Sequence, residues 1–446
     1  MGWQNKLAPK QIDPPESRAD EKDIMRRALI ALAGILTAVG SSPLFLGGSA
    51  DAAQSGQGVT PTTITVGITY PDIAALKGII NVDPGNYQVA YTTLINRLNA
   101  TGGINGRKIV PVFAAVNPVG TAGAATACTQ LTEDDKVFAV MGFFQQVDTA
   151  CYVQTHGVPL IGASLTAAQS AAAKAPWFNF QISSNDLIPK EMAIFKQEGA
   201  FAGKKVGVVS TSADSVESSL VLPALRQLHV DVVQNAVNSV PDTDTAAQVA
   251  EYGTIAQKFQ SSGVNLVVAV GNAGNGWPSS LQQNQSSYTP RFIATDYNDL
   301  DAYTSNKAGH SNAILKDVLT AGPQPPAKVW WNDPAMKSCV AAIKKAEPSA
   351  VINNPVTATS STPVTWTAPQ TACQQLALFT DIVKAAGKTL NNETFKKGGE
   401  SLTHVTIPGG GGTFDFAGGH NDGNGPVFVY TWSPSANNFV LKTTAG

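Results

Sequence analysis

Short apolar runs of strand type alternate along most of this chain with longer segments whose apolar residues recur at helical spacing. "TITVGITYP" (63–71) predicts a strand, "GNYQVAYTTLINRLNATGG" (85–103) a helix that stops at two glycines, and "KIVPVFAAV" (108–116) a second strand. Helix-like "GTAGAATACTQLTEDD" leads to the strand "VFAVMG", and "TACYVQTHG" leads to "VPLIGAS". After "FQISSND" the pattern restarts with "KKVGVVSTS", "VESSLVLPALRQLHV", "AQVAEYGTIAQKFQSSG", "VNLVVAVG", "GWPSSLQQNQ" and "RFIATDY". Strands alternating with helices pack as parallel sheets with helices on both faces, so two such runs predict an α/β protein of two doubly wound lobes. Between Leu315 and Pro408 the character changes to two helices, "MKSCVAAIKKAEP" and "TACQQLALFTDIVKAAG", around a Pro/Thr/Ser-rich loop. The tail from Gly409 reads as strands joined by Gly, Asn and Asp turns.

The start of the chain bears on the compartment. From Met25, Arg26 and Arg27 precede an apolar run from Ala28 to Val39 and the small-residue site Ala50-Asp51-Ala52. That order is the signature of a secretory signal, with cleavage expected near Ala52 and Met25 as an alternative start. The apolar run is shorter than the ~20 residues that span a bilayer, which makes a retained anchor the weaker reading. Residues 1–52 hold six basic and six acidic residues, so their removal leaves the net charge of −2 unchanged. A near-neutral chain of this kind lacks the basic face that a nucleic-acid partner requires.

Some 390 residues then remain, enough for two domains. All four cysteines, Cys128, Cys151, Cys339 and Cys373, lie in this part. An even number in an exported chain favours disulfides, with three possible pairings. The four cysteines and the scattered His156, His229, His310, His404 and His420 lack the short spacings of a metal site, and no cofactor is expected. "GNAGNG" misplaces the glycines of a dinucleotide fingerprint, "HNDGNG" (420–425) is a turn rather than a calcium loop, and no nucleophile–base motif is present.

The succession "ITVGITYP", "LINRLNATGGINGRKI", "ACTQLTEDDKVFAVMG", "GVPLIGAS", a second α/β run ending "FIATDY", and a late "GTFDF" resembles the branched-chain amino-acid-binding family of type I periplasmic binding proteins. The resemblance covers roughly Val59 to Leu441. It implies two lobes joined by hinge strands, with 59–184 and 316–424 in lobe one and 185–315 and 425–446 in lobe two. It also implies a ligand in the cleft between them, an ABC transporter permease as partner, and no chemistry of the protein's own. Cys128 precedes the strand at 137–141 and Cys151 begins the helix after it, while Cys339 and Cys373 fall on the two helices of the lobe-one insert. The expected pairs are therefore Cys128–Cys151 and Cys339–Cys373.

In open α/β sheets, ligands bind beyond the carboxyl ends of the strands, where backbone N–H groups and helix starts are exposed. Gln145 and Gln146 follow the strand "VFAVMG", and Ser164 and Thr166 follow "VPLIG"; hydroxyls and amides there suit a carboxylate. A plain helix cap is the competing reading for Ser164 or Thr166. The family places a serine where this chain has Gln145 and Gln146. On lobe two, Asn272 stands where relatives place an aromatic ring, Trp277 is the nearby substitute or else a packing residue, and Asp296 matches the acid that meets a ligand ammonium. Tyr70 ends the first strand and can line the same cleft. The leading expectation is a solute receptor for an importer, its ligand an amino acid or a related amide or carboxylate. An exported sensing module or a hydrolase on the same scaffold are the alternatives.

Overall fold

The computed structural model describes residues 55–76, 83–118, 121–145, 149–241, 244–304, 309–358 and 362–445. The expected signal segment and Gln146 lie outside them. In chain order the first elements are β1 (Thr63–Pro71), α1 (Tyr87–Ala100), β2 (Lys108–Val116), α2 (Ala122–Thr129), β3 (Ala139–Gly142), β4 (Leu160–Ile161), α3 (Ala167–Ala171) and β5 (Trp177–Phe178). The five strands form one parallel sheet in the order β2-β1-β3-β4-β5. β2 is the edge strand, which is why it tolerates Pro111: the missing N–H is no loss on a side without a neighbour.

A second run follows: α4 (Ser184–Gln197), β6 (Val206–Thr211), α5 (Ser215–Gln227), β7 (Val232–Asn238), α6 (Thr245–Ser261), β8 (Leu266–Ala269), α7 (Ala273–Gln283), β9 (Arg291–Ala294), α8 (Tyr297–Thr304) and β10 (Leu319–Gly322). Next come α9 (Ala327–Trp330), α10 (Pro334–Ala346), α11 (Thr367–Ala386), α12 (Asn392–Glu400), β11 (Val405–Thr406), β12 (Thr413–Phe414), β13 (Val427–Ser433) and β14 (Asn438–Ala445). The larger sheet is seven-stranded, ordered β14-β13-β10-β9-β8-β6-β7, with β13 antiparallel to both of its neighbours and the other strands parallel to one another. Strand β10 pairs with β9 and β13, so it belongs to this sheet. A boundary at residue 316 would separate β10 from its partners; the chain crosses back only after Gly322.

Each sheet is covered on both faces. On the smaller one, α1, α10, α11 and α12 bury Ile64, Ile68, Tyr91, Phe138, Phe379 and Phe395 on one side, while Ala127, Leu131, Tyr152 and Val153 fill the other. Phe395 is met edge-on by Phe138 at 5.4 Å, and Phe178 meets Phe416 at 6.0 Å, so the late "GTFDF" closes the core begun by the first strands. The larger sheet is sandwiched between Tyr252, Phe259, Trp277, Phe292 and Tyr430 on one face and Ile188, Phe195, Val208, Leu225 and Val268 on the other.

Cys128 is bonded to Cys151 and Cys339 to Cys373, closing loops of 23 and 34 residues. The first pins α2 to the helical turn after β3; the second staples α10 to α11. In the chain-entropy account each contributes about 3 to 4 kcal/mol. No helix among the described residues is long and apolar enough to cross a membrane.

Candidate functional site

At the carboxyl end of β3 the backbone turns through Gly142, whose φ is +118°, into Phe143, Phe144 and Gln145. Its polar groups are not left open. Gln375, buried on α11, accepts from the Gly142 N–H at 2.6 Å and donates back to its carbonyl at 3.0 Å, while also accepting from the Tyr91 hydroxyl at 2.6 Å. The Thr69 hydroxyl donates to the Phe143 carbonyl at 2.5 Å. The loop is thus clamped at its root from two directions while Phe143, Phe144 and Gln145 remain half-buried. Thr69 and Gln375 carry no motif that sequence reading detects; Gln375 reaches Gly142 across 233 residues.

The second lobe-one loop leaves β4 through Ser164 and Thr166, both exposed. Thr166 is a helix cap: its hydroxyl accepts from the Gln169 N–H at 3.2 Å and the Gln169 side chain accepts from its N–H at 2.9 Å. Ser164 accepts from the Asn179 side-chain amide at 2.8 Å. Tyr70 is half-buried at the end of β1. It lines a cavity of about 490 Å³ with Asp83, Asn86, Ile343, Ile352 and Thr365, all in the half of the molecule built on the smaller sheet.

On the larger sheet, the ends of β6, β8 and β9 are bound into one polar network. Asp214, only 6 % exposed, accepts from the Thr211 N–H (3.1 Å) and hydroxyl (2.7 Å) and from the Asn272 N–H (3.2 Å) and side-chain amide (3.0 Å). Gly271, at φ +53°, passes so close that a Cβ there would sit 2.4 Å from the Asp214 carboxylate, and its N–H donates to the Thr295 hydroxyl at 3.0 Å. Asn272 itself is exposed at the network's surface. Asp296 follows Thr295 and starts α8, accepting from the N–H groups of Asn298 (2.6 Å) and Asp299 (3.3 Å). Asp214 was legible only as an acid between a strand and a helix; its role as the latch between two loops was not.

Trp277 is not at this surface. It is fully buried among Tyr252 and Phe259, with ring centroids at 6.3 and 5.7 Å, because α7 turns this residue onto the sheet. Packing is its role, and the place of an aromatic substitute beside Asn272 is not filled by it.

Three carboxylates crowd these strand ends. Burial first, then the charges of Asp296 and Asp214, push Asp299 up to about 6. Among the described residues, none of the three pairs with a lysine, arginine or histidine. A site with this much uncompensated negative charge favours a cationic group and repels an anion.

The profile of the periplasmic binding protein family matches residues 63–438. The chain belongs to that family, and its two lobes with parallel sheets have the type I architecture. Among solved structures, it is similar to an ABC transporter substrate-binding protein from Desulfitobacterium hafniense in complex with leucine, at 15% identity and a TM-score of 0.57, covering 85% of this chain and 100% of that one. It is similar to a solute-binding protein of an ABC transporter from Rhodopseudomonas palustris in complex with p-hydroxybenzoic acid, at 12% identity, TM-score 0.56, and 86% and 97% coverage. A fatty acid ABC transporter substrate-binding protein from Thermomonospora curvata matches at 14% identity, TM-score 0.53, and 87% and 93% coverage. No curated protein matches the chain in sequence.

Proposed function

We propose that this protein is the extracytoplasmic receptor of an ABC importer and that its ligand is a small amine-bearing solute of the amino-acid class. The observation that carries the ligand class is the acidic pair Asp296 and Asp299, backed by the buried Asp214, with no cationic side chain paired to any of them among the described residues. On the loops that follow β3 and β4, the half-buried Phe143 and Phe144 suit an apolar side chain, and Gln145, Ser164 and Thr166 carry amides and hydroxyls that suit a carboxylate. The relatives that hold leucine and p-hydroxybenzoic acid differ in whether the ligand carries an amine. Asp296 is the group assigned to that amine, with Asn272 beside it.

Because Asp296 also caps α8, the informative variant is Asp296→Asn, which keeps the cap and removes the charge. Stranding a ligand ammonium costs at least about 2 kcal/mol, so leucine should bind roughly thirtyfold more weakly by calorimetry while the melting temperature holds. Wild-type protein that takes p-hydroxybenzoate and rejects every amino acid would end the amino-acid reading and leave the receptor reading standing. The acidic face adds a pH signature. An ammonium favours ionised Asp299, so binding below about pH 6 must first expel a proton from it. Amino-acid affinity should fall as pH drops from 7 to 5, with proton release visible as a buffer-dependent binding enthalpy; an affinity flat across that range would place the amine elsewhere. Ligand contacts to both lobes also favour the closed state, so small-angle scattering should record a smaller radius of gyration at saturation.

A further inference from the structure

Two of the segments that run between the sheets lie against each other. Residues 179–183 leave β5 for α4, and residues 415–426 lead into β13. They are tied by the Asn179 N–H donating to the Asn421 carbonyl at 2.8 Å and by the Ser183 N–H donating to Asp422 Oδ2 at 2.8 Å. Here Asp186, His420 and Asp422 converge, each offering a ligand atom, with all three atoms within 4.8 Å of one another. Asp422 is buried and the other two are half-buried, unlike the exposed acids that cluster by chance on surfaces.

We propose that Asp186, His420 and Asp422 form a three-ligand site for a divalent transition metal, with zinc the best fit, that clips these two crossing segments together. The donor set decides the metal class. One imidazole nitrogen with two carboxylate oxygens suits zinc and its first-row neighbours, whereas calcium and magnesium take oxygen ligands. Three protein ligands leave a fourth position for water. In a tetrahedral site with bonds of roughly 2.0 to 2.2 Å, ligand atoms stand about 3.4 Å apart, so each of the three must move by an ångström or less to engage. The Ser183 N–H already holds the Asp422 carboxylate at Oδ2, as outer-shell partners of metal ligands do.

The charge balance points the same way. Among the described residues, neither carboxylate has an ion-pair partner within 4.0 Å. Lys190 shares the neighbourhood, but its ammonium is given to the Asn424 side chain. Burial lowers the Lys190 pKa, and the charges of Asp186 and Asp422 oppose that shift. Lys190 and the start of α4, with Asp186 in its first turn, both weigh against a second cation, so affinity should be moderate rather than that of a structural zinc site. The spacing of the sequence conceals the site: Asp186 and His420 are brought together only by the return of the chain between lobes.

The test uses the full chain without a histidine tag, stripped with EDTA and then titrated with zinc chloride by calorimetry and thermal shift. The expected result is one zinc per chain and a raised melting temperature. His420→Ala and Asp186→Asn should each weaken zinc binding by at least about tenfold, with an unchanged melting temperature in EDTA. Cobalt in place of zinc should give a visible absorption band that His420→Ala abolishes. No saturable zinc binding by the wild type, or equal binding and an equal cobalt band in His420→Ala, would overturn the proposal. Neither outcome bears on amino-acid binding, which is read separately with leucine.

Discussion

Gly142→Ala should lower folding stability by about 4 kcal/mol or more, read as a fall in the denaturant midpoint at constant slope. Two costs add. A φ of +118° lies outside what a residue with a Cβ adopts without strain, which is worth roughly 1 to 3 kcal/mol. The new Cβ would also stand 2.1 Å from the Thr69 carbonyl oxygen and 2.8 Å from its nitrogen, both backbone atoms of β1. Strand β1 is paired with β2 on one side and β3 on the other, so it cannot yield without breaking a ladder. Nor can Gly142 retreat, because its N–H and carbonyl are held by Gln375 in a buried site, where an orphaned group costs about 1 to 3 kcal/mol. Gly157→Ala is the control. That glycine also has a positive φ, of +65°, but a Cβ there meets nothing within 4 Å, so about 1 kcal/mol should be lost. Equal losses at the two positions would show that close approach to β1 is not what fixes Gly142.

The clamp around Gly142 also shows where sequence reading stops. The alternation of strand and helix was open to inspection because burial on both faces of a parallel sheet forces continuous apolar runs, and "TITVGITYP" and "KIVPVFAAV" coincide with β1 and β2 to the residue. Cys128–Cys151 was legible because helices flanking one strand are neighbours in space, Cys339–Cys373 because both fall on the paired helices of one insert, and both pairs are as expected. The site was legible only as loops after strands. Which side chains hold those loops depends on contacts such as Gln375 with Gly142 and Asp214 with Asn272, which no local pattern encodes. Trp277 stood open between a loop aromatic and a packing residue for a related reason. A tryptophan three residues beyond Gly274 reads as a loop aromatic until the start of α7 is known, and one helical turn carries it from the strand end into the core. Strand β10 was not legible either, because "LTAG" is too short to announce a strand without its partners β9 and β13.

Stability should also carry a pH term traceable to one residue, Glu191. This glutamate sits on α4 beside Ile188, Met192 and Phe195, is 0 % exposed, and among the described residues neither carboxylate oxygen has a hydrogen-bond partner. Burial first, and then the charge of Asp296, hold its pKa well above the ordinary 4.5. The folded chain therefore keeps a proton that the unfolded chain releases near the ordinary value. Unfolding then releases a proton, so stability falls as pH rises above about 4.5, by about 1.4 kcal/mol per pH unit, until the raised folded value is passed. Glu191→Gln lacks this term. The difference in unfolding free energy between wild type and Glu191→Gln should thus decline as pH rises above about 4.5. Glu191→Met, which replaces the unpartnered carboxyl with an apolar group of similar length, should be more stable than wild type at pH 7 by about 2 kcal/mol. Parallel pH profiles for wild type and the glutamine variant would mean that the carboxyl is ionised and paired, and the argument would fail. The coupling to Asp296 extends the consequence to binding. A cation seated on Asp296 removes the charge that helps keep Glu191 protonated, and by reciprocity ionising Glu191 strengthens the cation's hold. Leucine affinity in Glu191→Gln should therefore lose the part of its pH dependence that belongs to Glu191 and keep the part near pH 6 that belongs to Asp299.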